Sequence, residues 1–115
     1  MSAKTFKAAV RYQASVAIID LQGEINSASE EALTAAYTEA TASNPSAILL
    51  NLGNMKYITS TGMAILVELL AQAHQANHRL AAYGLSEHYR EVFHMLRLND
   101  FLEIYTDEAS ALKNL

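Results

Sequence analysis

Apolar and polar positions fall into blocks along this chain, and the period within each block changes. "TFKAAVRY" (Thr5 to Tyr12) and "SVAIIDL" (Ser15 to Leu21) are rich in Val, Ile, Phe and Tyr, and a short "QA" link parts them, which predicts the two strands of a hairpin. Gly23 ends the second strand. From Asn26 to Thr41 the period lengthens, with Leu33, Ala36, Tyr37 and Ala40 recurring at helical spacing. The segment opens with "NSASEE", where Asn26 or Ser27 can accept hydrogen bonds from free backbone N–H groups and the glutamates suit the positive end of a helix. Pro45 marks a loop, and the continuous apolar run "AILLNL" after it is the pattern of a strand covered on both faces or central in a sheet.

A loop, "GNMKYITS", is predicted next, followed by the longest helical segment, Thr61 to Ala76. "RLAAYGL" supplies a short strand, and "SEHYREVFHMLRLN" a capped helix with Val92, Phe93 and Leu96 inward. "FLEIY" is the last strand, and "TDEASALKN" a last short helix whose start at Thr106 is close to a capping box. The order is β-β-α-β-α-β-α-β-α. Strands separated by helices need crossover connections, so an α/β fold is expected, with a mixed β-sheet formed by an antiparallel hairpin and parallel later strands. Right-handed crossovers keep the helices mainly on one face. At 115 residues, the chain is expected to form a single domain over 1–115.

Composition narrows the functional classes. A hydrophobic fraction of 51% with 17% charged residues is that of a folded domain. The formal net charge of −4, with no cluster of Lys or Arg, speaks against a nucleic-acid partner. With no cysteine, disulfides, thiolate catalysis and thiolate-bound metals are excluded. No leader is expected at the N-terminus, and no apolar run approaches a membrane span, so the expected location is cytoplasmic.

Candidate chemistry concentrates in "KYITSTGMAILVEL", Lys56 to Leu69, where three hydroxyls and a glycine precede an apolar helix. Thr59, Ser60 and Thr61 sit where Ser or Thr caps a helix, a contribution of roughly 1 kcal/mol. Gly62 is unexpected on that reading alone, because glycine in a helix costs up to ~1 kcal/mol relative to alanine. A hydroxyl at a helix start is also a place where a phosphate would be well received, with Gly62 allowing close approach to the backbone. Behind it, Ile65, Leu69, Gln72 and Ala76 form one stripe and Met63, Leu66, Val67 and Leu70 another, wider than one core face uses. Either the helix is wedged among other elements or part of it is open to a partner.

Other constellations are weaker. His74 and His78 have a spacing that can share a metal but lack the acid of an H-E-x-x-H pattern, and His88 and His94 are read as solvated. "TSTG" is not a nucleophile elbow, and no Walker-type or G-x-G-x-x-G loop is present, so neither an enzyme nor a cofactor is indicated. Asp20, Glu24 and Asp100 are read as solvated caps near strand or turn ends.

"AILLNLGNMKYITSTGMAIL" resembles the signature of the STAS domain, in which a strand leads through "DSSG" or "SSaG" into an apolar helix. "IDLQGEIN" and "HYREVFHMLRLNDFLEIYTDEASAL" resemble the flanking segments of the same family, so the likeness spans nearly the whole chain. It implies an anti-sigma factor antagonist. Ser60 then occupies the place of the serine that a partner kinase phosphorylates, Asn51 stands where the family often has an aspartate, and Thr59 replaces the acid of "DSSG". The implied partners are an anti-sigma factor serine kinase of the histidine-kinase-like ATPase fold, bound while Ser60 is unmodified, and a PP2C-type phosphatase that resets the switch. The implied partner-binding residues are Tyr57, Thr59, Ser60, Thr61, Gly62, Met63 and Leu66. Of the cations near in sequence, Lys56 is the one placed to compensate a phosphate. Two other readings stay open: a STAS subunit of a membrane-associated transporter that never needs the modification, and a subunit of a larger signalling assembly.

Overall fold

Five strands, β1 (Lys7–Gln13), β2 (Val16–Ile25), β3 (Ala47–Ile58), β4 (Leu80–Tyr83) and β5 (Glu103–Tyr105), lie side by side in chain order. The helices are α1 (Glu30–Ala42), α2 (Ser60–Gln75), α3 (Glu87–Met95) and α4 (Glu108–Asn114). The computed structural model describes residues 6–115, so the Thr5 start of the predicted first strand and the start of the predicted domain lie outside the described residues. The first strand pair is antiparallel and the later pairs are parallel, the mixed sheet that alternating strands and helices demand.

Alternation along the strands sorts apolar side chains between two faces. Ala17, Ile19, Leu21, Ile48, Leu50, Leu52, Leu80 and Ala82 turn toward α1, α2 and α3, whose Leu33, Leu66, Leu70 and Phe93 complete a large core. Burying each such side chain contributes roughly 1.5–3 kcal/mol. Val16, Ile18, Leu49 and Ala81 face the other way, against Ala111 of α4 with Leu112 and Leu115 half-buried beside it. The helices therefore lie mainly on one face, as expected. In α1 the buried residues are Leu33, Ala36, Tyr37 and Ala40, the same ones the helical spacing selects.

Five local expectations need correction. The predicted loop "GNMKYITS" is largely strand: β3 continues to Ile58 and pairs with a β2 that runs on past Gly23 to Ile25, through register shifts near Leu21 and beyond Gly23, whose φ of 97° glycine adopts freely. Asn26 accepts from the Ala28 N–H as anticipated, but the turn it caps is a 3-10 turn, Ser27–Ser29, ahead of α1. Leu96 is half-exposed instead of inward, because α3 stops at Met95 and Arg97 takes a left-handed φ of 62°. Leu98 takes the buried place. The cap of α4 is Asp107, accepting from the Ser110 N–H at 2.8 Å, instead of Thr106. Asp20 is no solvated cap: it lies within β2 and accepts from Arg11 at 2.7 Å and from the Asn51 amide at 2.7 Å.

Arg11 also reaches Glu108 of α4, and Glu108 accepts from the Tyr83 hydroxyl at 2.6 Å. One guanidinium thus ties β1 and β2 to the helix on the thinly covered face. Burial pushes the Asp20 carboxyl up, but hydrogen bonds from Arg11 and Asn51 outweigh it and hold the group below its ordinary value. Hydrogen bonds from Arg11 and Tyr83 lower Glu108 likewise.

Candidate functional site

The long β3 delivers the hydroxyl run to the protein surface. Where the strand ends, the backbone N–H of Thr59 donates to the Ile25 carbonyl at 2.9 Å, so the entry to α2 is fastened to the end of β2. Thr59 is the cap: its extended backbone (φ −76°, ψ 169°) presents Oγ1 to the Gly62 N–H at 3.0 Å. Of the three hydroxyls, Thr59 therefore does the capping, and Ser60 and Thr61 are exposed at the first two helical positions. Among the described residues the Ser60 hydroxyl has no hydrogen-bond partner.

Gly62 is buried, and a side chain there is forbidden from inside the molecule. A Cβ would sit 2.0 Å from the Ile25 carbonyl oxygen and 2.5 Å from its carbon. The space that seemed open to a visiting molecule is filled by the chain's own β2. This glycine lets α2 press directly on the end of the sheet, which fixes the height at which Ser60 emerges.

The predicted partner residues divide into two groups. Tyr57 (52% exposed), Ser60 and Thr61 face outward, with Thr59 and Met63 half-buried at the rim. Leu66, expected at the partner surface, is 0% exposed and belongs to the core, as does Gly62 to the contact with Ile25. The reason is helical phase: Leu66, Leu69, Leu70 and Ala73 form the stripe that meets the sheet, leaving Ile65 half-buried and Val67 exposed.

Two residues that sequence reasoning missed come from α3. A hollow of about 370 Å³ is lined by Tyr57, Ile58, Thr59, Ser60 and Met63 on one side and by His88, Tyr89 and Val92 on the other. Tyr89 is 9% exposed, and its hydroxyl accepts a buried hydrogen bond from the Ile58 N–H at 3.0 Å. That bond pins α3 to the strand end just ahead of Ser60. His88, read as solvated, stands exposed on the hollow's far wall with its ring edge-on to Tyr89, centroids 4.9 Å apart. Only the spacing of Tyr89 and Phe93 on an amphipathic helix hinted that this face turns inward. His74 and His78, weighed as a metal pair, have other contacts: His74 lies edge-on to Phe101, and His78 Nδ1 shares a hydrogen bond with the Tyr37 hydroxyl at 2.6 Å. Among the described residues no helix is long and apolar enough to cross a membrane.

The family model described as "Mlab, STAS domain" matches residues 8–104. BtrV of Bordetella bronchiseptica, a proposed anti-sigma factor antagonist, is 33% identical over 85 residues, covering 74% of this chain and 71% of BtrV. The crystal structure of an anti-sigma factor antagonist from Mycobacterium paratuberculosis superimposes with a TM-score of 0.81 at 20% identity, covering 98% of this chain and 96% of that one. The Bacillus cell fate determinant SpoIIAA in its phosphorylated form gives 0.68 at 18% identity, covering 96% of this chain and 100% of that one. The two solved structures share the fold, and the family model together with the sequence relative establishes kinship: the chain belongs to the STAS domain, anti-sigma factor antagonist family.

Proposed function

We propose that this protein is a partner-switching regulator whose state is written on Ser60. Unmodified, it binds an anti-sigma factor that is also a serine kinase of the histidine-kinase-like ATPase fold; phosphorylated on Ser60, it lets go, and a PP2C-type phosphatase restores it, all in the cytoplasm. The observation that carries the reading is the division of labour among the hydroxyls. Thr59 caps α2, so the Ser60 oxygen is exposed and unengaged beside a hollow rimmed by Tyr57 and Met63.

The physical consequence of modification follows from charge. A phosphoryl group adds about −1.5 to −2 charges at neutral pH. The positive end of the α2 dipole favours an anion at the first turn, so the fold persists while the surface changes sign. Burying that charge against a partner without a compensating cation costs several kcal/mol, and each ~1.4 kcal/mol is tenfold in affinity.

Titration of the purified kinase with variants tests the switch. Ser60→Ala should bind like the native chain and resist release by ATP, and Ser60→Asp should bind at least about tenfold more weakly. Equal affinities for the two variants would sink the proposal. Intact-mass analysis of protein from its native cells should show a fraction heavier by one phosphate, mapping to Ser60.

The label of the matching family model, Mlab, does not name an antagonist, and this keeps a second reading in view. As a STAS subunit of a transporter assembly, the chain would grip an ATPase through the same surface without modification of Ser60. A kinase-like anti-sigma factor or phosphatase encoded beside it favours switching; a transporter operon favours the second reading.

A further inference from the structure

Phosphorylation of Ser60 would place a dianion in a hollow whose opposite wall holds a basic side chain from a distant part of the sequence. We propose that His88 faces the phosphoryl group on Ser60 and donates a ring N–H to one of its oxygens, making His88 the positioning residue of the modified site. The inference rests on the Ser60 reading above and goes beyond it, since nothing in the signature segment around Ser60 points to α3.

Three observations carry it. First, Ser60 and His88 line the same hollow of about 370 Å³, a volume that exceeds that of a phosphoryl group. Second, the wall that bears His88 is held in place: the buried Tyr89 hydroxyl accepts from the Ile58 N–H at 3.0 Å, two residues before Ser60, so α3 keeps its position relative to the helix start. Third, the His88 ring meets the Tyr89 ring at 65° with centroids 4.9 Å apart, which restricts the directions it can take.

The hollow's other titratable groups are the phenols of Tyr57 and Tyr89. Glu87 and Glu91 flank His88 on α3, and Lys56 precedes Tyr57 on β3. Among the residues that line the hollow, His88 is the one with a ring N–H to offer a phosphate oxygen. A hydrogen bond donated to a phosphomonoester oxygen favours its ionised form.

The test uses full-length protein with phosphoserine encoded at position 60, confirmed by intact mass, so that no kinase is needed. The phosphorus resonance is followed across its second ionisation, near pH ~6 for an isolated phosphoserine. The midpoint in the otherwise native chain should lie about half a pH unit below that of His88→Gln, since loss of the ring N–H donor makes the dianion harder to form. His94→Gln, on the same helix but outside the hollow, should match the native midpoint. The contribution of the α2 dipole is common to all three and cancels. Coincident midpoints for the native chain and His88→Gln overturn the proposal, as does a shift that vanishes in Lys56→Gln while surviving in His88→Gln. If protein from native cells never carries phosphate, the switching reading fails and this measurement of the hollow still stands.

Discussion

The two faces of the sheet hold their helices by different means. On the face that carries the site, α1, α2 and α3 are seated by apolar contact, with Leu66, Leu70 and Phe93 removed from water. On the other face, α4 rests on a small apolar cluster and is tethered by Arg11, Asp20, Glu108 and Tyr83, whose ion pairs are partly solvated: Arg11 is 42% and Glu108 32% exposed. Burial is roughly additive in area and has no charge to screen or titrate, whereas solvated ion pairs are screened and titrate. The site proposed to change charge at Ser60 thus lies on the face that charge does not hold.

The sharpest way to break this contrast is Gly62→Ala. Because the added carbon collides with the Ile25 backbone, α2 must lift from the sheet, and a loss of about 3 kcal/mol is expected in urea unfolding, with partner binding falling in parallel. A variant as stable as the native chain would show that the contact is not what sets the helix height. Next in size, Tyr89→Phe leaves the buried Ile58 N–H without its acceptor and should cost about 2 kcal/mol. It should also loosen the hollow, seen as faster amide exchange at Ile58.

The smallest effect belongs to the other face. Arg11→Ala should cost no more than about 1 kcal/mol, because the pairs are partly exposed, and should speed amide exchange in α4 while leaving α2 unchanged. In the native chain the Asp20 and Glu108 carboxyls are both held below their ordinary values when folded. Their contribution is therefore present above the unfolded carboxylate range, near pH 4, and is lost as pH falls through their lower folded values. An acid titration should release α4 before it disturbs the core around Leu66; simultaneous loss would mean that the two faces are one cooperative unit.

Much of this was legible along the chain, and the failures share a cause. The inward face of α1 was readable because helical period and burial agree. "GNMKYI" was not, because Gly53 and Asn54 carry turn-like local preferences and the segment is a strand only through its pairing with the far end of β2. The serine at the helix start could be picked out from its neighbours in sequence. His88 and Tyr89 could not, since only the crossover from β4 through α3 brings them beside it. Leu66 was misplaced for a related reason: on a helix apolar over more than one stripe, composition does not say which stripe meets the sheet.

Thr59 takes the structural task at the helix start and leaves its neighbour without one. Position 60 is consequently a place where mutation is cheap: exchanges among small polar residues should shift stability by no more than about 0.5 kcal/mol. Under the proposed reading, a lineage can silence the switch, or recover it, in one codon, with the scaffold untouched by the change.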